Sequence, residues 1–143
     1  MKVDKGTKLI NNWMVTPACD HDAQELETLL EKQDAGQPLY ADSAYVGKEE
    51  IIDECDMSNE VHEKGTKNNP LSEEQKASNR VKSKSRARVG HVFGFMTNSM
   101  KAMHVRTIGY VRAVAKIGLS NLTYNLMRCT QLNKKVHNVF LWG

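Results

Sequence analysis

The first third of the chain contains two apolar segments with different periodicity. A β-tolerant run over residues 7–16, bounded by a glycine and a proline, predicts a strand. Residues 20–33 predict a helix, because three leucines fall on one face at helical spacing. Asp20 or Asp22 is the expected N-cap, since a short carboxylate can accept from the unpaired N–H groups of the first turn. A strand followed by a helix is a typical opening of an α/β fold.

The middle of the chain predicts two short strands around a short helix. The apolar run 39–41 follows a turn-forming segment and ends at Asp42. A helix is expected from Gly47 to about Cys55, with its apolar side chains facing inward. Residues 60–63 predict another short strand. The pattern therefore alternates strand and helix, which indicates helices packed on a small sheet of three strands.

Two long helices are predicted in the second half. Ser72 and Gln75 stand at capping-box spacing, so a helix is expected to begin there and to run to about Met100. The apolar positions expected to face its core are Val89, Val92, Phe93, Met96 and Met100. A last helix is predicted over about 109–132. Its apolar positions are Val111, Val114, Ala115, Leu122 and Leu126.

Length and composition limit the class of protein. A chain of 143 residues with 40% hydrophobic content predicts one domain with a real core. No run of eighteen or more apolar residues occurs and the first residues lack a signal-peptide pattern, so no membrane contact and a cytoplasmic location are expected. Cys19, Cys55 and Cys129 lie far apart and outside any Cys-x-x-Cys spacing. They predict neither a disulfide framework nor a zinc site.

Charge divides the chain into two opposite parts. Residues 1–79 contain all 17 acidic residues and 8 basic ones, a net charge of −9. Residues 80–143 contain 12 Lys or Arg and no acid, a net charge of +12. Such a field favours a polyanion, because each neutralised phosphate releases condensed counterions. The predicted DNA-binding residues are Arg80, Lys82, Lys84, Arg86 and Arg88. The alternative for this run is a solvated helix face.

Asp42 is the best single candidate for chemistry. It leaves the carboxyl end of a predicted strand, which is where open α/β sheets place ligands and catalytic groups. The alternative is that Asp42 only forms a turn or caps a helix.

Six stretches along the chain resemble DDE-type insertion-sequence transposases, particularly the insertion-sequence-five group of the insertion-sequence-four-like class. Residues 39–47 resemble the segment around the second catalytic Asp, and 86–95 resemble the helix that carries the final catalytic Glu. The stretches 8–18 and 21–24 resemble the preceding strand and helix start. Residues 108–113 and 119–126 resemble the closing helix.

The resemblance implies an RNase H-like core in which two Asp and one Glu bind two divalent ions, Mg²⁺ or Mn²⁺. Clustered carboxylates suit this chemistry, because hard cations prefer oxygen ligands and a metal pair can activate the attacking oxygen and stabilise the leaving one. Asp42 is then the catalytic and metal-binding acid. Arg86 matches the family's arginine, for which a phosphate contact is expected. The implied partners are DNA, as transposon ends and target, and a full-length transposase or a second copy of this chain.

Three departures from the family pattern bear on activity. Gly90 occupies the position of the family's Glu, and Thr97 that of a following Lys. The first catalytic Asp is expected on a strand preceding this chain, and Asp4 is not taken for it. His91 is not expected to compensate for the Glu, since imidazole is a poor magnesium ligand.

The resulting prediction is a partial RNase H-like catalytic domain over 1–135, with 136–143 as a tail and the N-terminal strands missing. Its predicted function is that of an insertion-sequence transposase present as a truncated and inactive fragment. Two alternatives remain open. One is a noncatalytic DNA-binding or regulatory protein derived from a transposase, and the other is a small structural α/β protein.

Overall fold

The computed structural model of the chain describes residues 1–17, 25–102 and 104–140. Within them the structure is mixed α/β, with four α-helices and two separate two-stranded sheets. The chain divides into two compact units. We call Met1–Val15 with Val89–Gly143 the terminal unit and Thr16–Arg88 the central unit. The α/β class is confirmed. The single three-stranded sheet was wrong, because the strands pair as two independent couples.

The central unit is built on a parallel strand pair, β3 (Pro38–Leu39) and β4 (Ser58–Asn59). Parallel strands need a crossover connection, and this one contains helix α2 (Glu49–Glu54). Its Ile52 is fully buried. The buried cluster around it contains Leu26, Leu30, Ile52 and Val61. The predicted helix 47–55 is thus confirmed within two residues at each end, whereas the strand predicted at 60–63 is wrong in position, since β4 ends at Asn59.

The first helix of the central unit is much shorter than predicted. Helix α1 covers only Leu26–Leu29, because the backbone of Leu30 is extended (φ −85°, ψ 145°). A 3-10 turn follows at Lys32–Asp34, and reciprocal hydrogen bonds between Glu31 and Asp34 stabilise it. The leucines at 26, 29 and 30 are buried as expected. The predicted caps Asp20 and Asp22 lie outside the described residues, as does Cys19.

Helix α3 (Glu73–Asn98) confirms the predicted long helix. Its capping box is formed as expected: the Gln75 N–H donates to Ser72 Oγ at 3.2 Å, and the Ser72 N–H donates to Gln75 Oε1 at 2.9 Å. Residues up to Arg88 belong to the central unit and those from Val89 onward to the terminal unit. No helix in the described part of the chain is both long and apolar enough to cross a membrane.

The terminal unit begins with an antiparallel pair, β1 (Lys2–Val3) and β2 (Ile10–Asn12). The predicted strand 7–16 was therefore too long. Its first residues belong to the turn between β1 and β2, where Asp4 accepts from the backbone and the hydroxyl of Thr7. The hydrogen bond from the Thr7 hydroxyl is the largest cause that holds the pKa of Asp4 below its ordinary value, and the bond from the Thr7 N–H is the second.

The core of the terminal unit lies where α3 and α4 (Tyr110–Phe140) pack on β2. Its buried residues are Ile10, Val92, Met96, Ala102 and Tyr124. Phe93 was expected inside but is 43% exposed, and Phe95 packs there instead, edge-on to Tyr124 with ring centroids 5.9 Å apart. The apolar positions Val111, Leu122 and Leu126 that indicate α4 are exposed.

Polar side chains of α4 complete the edge of β2. Asn125 accepts from the N–H of Ile10 and donates to its carbonyl, both at 2.9 Å. The Tyr124 hydroxyl donates to the carbonyl of Lys8. Burial raises the pKa of Tyr124, and the Arg128 charge partly offsets this rise. An asparagine on a helix thus serves as a hydrogen-bonding neighbour for a strand residue.

Two helical glycines of the terminal unit differ in what surrounds them. A Cβ at Gly118 would lie 2.8 Å from the Trp13 ring, whereas one at Gly94 would meet nothing within 4 Å. We expect Gly94→Ala to raise the free energy of unfolding by about 1 kcal/mol, from helix propensity. Gly118→Ala should instead lower it by about 1 kcal/mol, because displacing the Trp13 ring outweighs the same propensity gain. Urea unfolding followed by tryptophan fluorescence in a Trp142→Phe background, which leaves Trp13 as the single tryptophan, measures both. An equal gain in the two variants would contradict the close packing of Trp13 on α4.

Candidate catalytic carboxylate and basic helix face

Asp42 follows the parallel strand pair of the central unit. The hydrogen-bond ladder continues beyond β3 and β4, since the N–H of Glu60 donates to Leu39 and that of His62 to Ala41. Asp42 is thus the first residue after the ladder, as predicted. Its Oδ1 accepts from the Ala44 N–H at 3.0 Å, so it also caps the 3-10 turn Ser43–Tyr45. The capping role that the sequence analysis gave as the alternative to a chemical role is therefore present in the structure, and the chemical role stays a prediction.

The second carboxylate oxygen of Asp42 is bound to an arginine of α3. Arg86 Nη2 donates to Asp42 Oδ2 at 2.7 Å. The two side chains are 48% and 37% exposed, so an ion pair of this kind contributes at most about 1 kcal/mol to stability. Its significance is chemical: the guanidinium predicted to contact a phosphate pairs with the candidate catalytic acid.

Other residues of α3 hold the segment that follows β4. Asn79 accepts from the Glu63 N–H and donates to the Glu63 carbonyl, both at 3.0 Å. His62 Nδ1 lies 2.8 Å from the Ala41 carbonyl, and its Nε2 lies 2.8 Å from Ser83 Oγ. These contacts hold the backbone immediately before Asp42. Sequence reasoning missed Asn79 and His62, because the pairing of residues about 20 positions apart leaves no local pattern.

The five residues predicted to bind DNA fall into two groups. Lys82 donates to the Val61 carbonyl at 3.1 Å and lies 3.7 Å from Glu60, so it joins Arg86 in contacts within the central unit. The other three are exposed and recur every fourth residue along α3: Arg80, Lys84 and Arg88. At a rise of about 1.5 Å per residue, successive members stand about 6 Å apart along the axis. We call these three the exposed basic face.

The remaining candidate residues do not add ligands to Asp42. Gly90 is an exposed residue inside α3, and a Cβ there would meet nothing within 4 Å. His91 Nδ1 lies 3.2 Å from Lys8 Nζ, an ammonium that can only donate, so this nitrogen serves as an acceptor. Asp4 is held in the turn after β1.

Divalent metal binding was tested on the donor set itself. Among the described residues no group of three or more His, Cys, Asp or Glu side chains is placed to hold a metal ion. Mg²⁺ needs several oxygen ligands, and each ligand carboxylate must be free to face the ion. Asp42 offers one carboxylate, and a guanidinium already neutralises it. The described residues therefore do not fit a Mg²⁺ or Mn²⁺ pair.

Comparison with known proteins gives a family and one curated relative. The model of the transposase DDE domain matches residues 1–126. The transposase for insertion sequence element IS1106 of Neisseria meningitidis serogroup B is 29% identical over 116 residues. This match covers 80% of this chain and 40% of the relative, so the chain spans well under half of that protein's length. No solved structure matches.

Proposed function

The chain belongs to the DDE-type insertion-sequence transposases, and on that premise we propose that it binds DNA through the exposed basic face without catalysing strand transfer by itself. The observation that carries the proposal is the contrast between the two groups of α3 cations. Arg86 is paired with the only acid that matches the family's triad, while Arg80, Lys84 and Arg88 are exposed. These three cations offer a surface for phosphate contacts, whereas no metal-binding carboxylate cluster occurs in the part of the chain that the structure describes.

We further propose that the central unit derives from an RNase H-like core. The parallel pair β3 and β4, joined through α2, supports this fold, and so does Asp42 at the end of the ladder. The domain boundaries 1–135 and 136–143, the truncation and a cytoplasmic location remain predictions. The backbone of α4 continues to Phe140, past the first of these boundaries.

The proposed inactivity has a chemical basis. DDE transposases generally use divalent metals, and a metal pair activates one oxygen while stabilising another, which requires carboxylates from several elements. Here Gly90 stands where the family has its Glu, so that helix position offers no second acid to accompany Asp42. Arg86 also competes with any metal cation for the carboxylate of Asp42. Strand transfer by the isolated chain is accordingly not expected.

Nicking of supercoiled plasmid DNA by the purified chain tests this proposal. We expect no nicking above background with Mg²⁺ or Mn²⁺, and no difference between the chain and its Asp42→Asn variant. A nuclease that nicks the same plasmid serves as the positive control. Metal-dependent nicking that disappears in Asp42→Asn would refute the proposed inactivity, whereas nicking that persists in the variant would indicate a contaminating nuclease.

DNA binding is tested separately by titrating salt against the affinity for a short duplex. A steep linear fall of log affinity with log salt concentration is expected, because binding by this face releases phosphate counterions. Absence of binding at low salt would leave the small structural α/β protein as the remaining reading. A regulatory role, by competition with a full-length transposase for DNA, would require the same binding and is the second candidate.

A further inference from the structure

An open cavity lined by exposed side chains lies in the terminal unit, between the end of α3, the following loop and α4. Its volume is about 510 Å³. Its lining residues are Thr97, Lys101, His104, Arg106, Thr107 and Lys116. None of them belongs to the exposed basic face or contacts Asp42. Sites for small molecules typically have volumes of about 300–1,000 Å³, so this cavity can admit a group larger than a single ion.

The lining has the chemistry of an anion site. Three side chains carry a permanent positive charge, Lys101, Arg106 and Lys116, and the two threonines add hydroxyl donors. No lining residue is a carboxylate. Cations held around one concave surface create a positive potential, which concentrates anions there.

The surrounding unit supplies almost no internal counter-charge. By sequence the terminal unit contains ten Lys or Arg and a single acid, Asp4. The Asp4 carboxylate accepts two hydrogen bonds from Thr7 in the turn after β1. An external anion is therefore the group best suited to neutralise the cations of the cavity.

We propose that this cavity binds a phosphate group, with Lys101, Arg106 and Lys116 supplying charge and the threonine hydroxyls supplying hydrogen bonds. An arginine presents a planar fork of donors that matches phosphate oxygens, and lysines add point charges. The site goes beyond the proposed function, because it does not use α3 residues 80–88. The phosphate group can come from a DNA backbone or from a free phosphate compound, and the test distinguishes these sources.

The first arm measures pyrophosphate binding to the whole chain by calorimetry. The variant Lys101→Asn with Arg106→Gln is compared with Arg112→Gln with Lys134→Gln, which removes the same charge from exposed positions of α4. We expect the cavity variant to weaken pyrophosphate binding at least about tenfold, since each lost charged hydrogen bond contributes more than a neutral one. The control variant should change it less than about twofold. Lys116→Gln, at a position inside helix α4, provides a second cavity variant.

The second arm measures the salt dependence of duplex DNA binding with the same variants. If a DNA phosphate occupies the cavity, the cavity pair lowers the slope of log affinity against log salt by about 0.9, the contribution of one phosphate contact. If pyrophosphate binding falls while this slope is unchanged, the site takes a free phosphate compound. Equal losses in the cavity and control variants would overturn the proposal, as would a wild-type chain that fails to bind pyrophosphate with the DNA slope also unaffected. The variant Arg80→Gln with Arg88→Gln, which alters the exposed basic face, should leave pyrophosphate binding intact. Failure of the proposed DNA binding by that face can therefore be distinguished from failure of the phosphate site.

Discussion

Replacing Arg80, Lys84 and Arg88 together by glutamine is expected to lower the affinity for duplex DNA about 500-fold at 0.1 M salt. The reason is counterion release: each phosphate contact contributes about 0.9 to the slope of log affinity against log salt, so three contacts contribute about 2.7. The three side chains are exposed on α3, and their removal leaves the ion pair between Arg86 and Asp42 in place. Fluorescence anisotropy with a labelled duplex, at several salt concentrations, measures both the affinity and the slope.

The matched control is the triple variant Lys32→Gln, Lys64→Gln, Lys67→Gln. These lysines are also exposed and belong to the same central unit, and their loss changes the net charge equally. We expect it to change the slope by less than about 0.5. Lys82→Gln adds a contrast within the basic run, because Lys82 binds Val61 and Glu60 and its loss should affect stability more than DNA binding. Equal effects of the two triple variants would mean that net charge, and not the exposed basic face, attracts DNA.

Asn125→Ala is expected to lower the free energy of unfolding of the terminal unit by about 3 kcal/mol. The Asn125 amide pairs with both backbone groups of Ile10, a residue that is only 6% exposed. Alanine would leave a buried N–H and a buried carbonyl without partners, and each such group costs about 1–3 kcal/mol. Urea unfolding in a Trp142→Phe background gives the change through the fluorescence of Trp13, which packs on the same core.

Thr123→Ala is the control for this prediction. Thr123 is exposed on the same helix, and its hydroxyl bonds only the Leu119 carbonyl one turn earlier. A change below about 0.5 kcal/mol is expected there. If Asn125→Ala lost less than about 1 kcal/mol, water would have replaced the amide at Ile10. The pair of hydrogen bonds between Asn125 and Ile10 would then be a surface contact and not part of the core.

The elements that the sequence predicts well depend on neighbours in the chain. The capping box of Ser72 and Gln75 joins residues three apart, and α3 begins where that spacing indicates. The short strand that ends at Asp42 was placed by its apolar run and by the turn before it. The family was recognised from ordered motifs, and the match over residues 1–126 confirms it.

One error has a local cause, and the others occur where distant residues decide the outcome. The helix predicted over 20–33 stops at Leu29, because Leu30 is extended and a 3-10 turn with its own capping box takes over. Phe93 satisfies the helical period for burial but is exposed, since helical spacing does not say which edge of an apolar stripe finds a partner. For α4, Asn125 bonds Ile10 of β2 and Arg128 donates to the carbonyl of Thr7 in the turn before β2, although neither residue belongs to the apolar pattern that predicted this helix.

By itself the sequence determined the α/β class, the long capped helix and the division of charge, because these follow from composition and local spacing, and its resemblance to known motifs identified the family. Only the tertiary structure decided how the basic run is used. It paired Arg86 with Asp42, and it paired Lys82 with the carbonyl of Val61 in the segment after β4. It left Arg80, Lys84 and Arg88 exposed. The physical reason is that a cation pairs with whichever acceptor folding places within hydrogen-bond reach. The acceptors here lie 21 and 44 residues away in the chain.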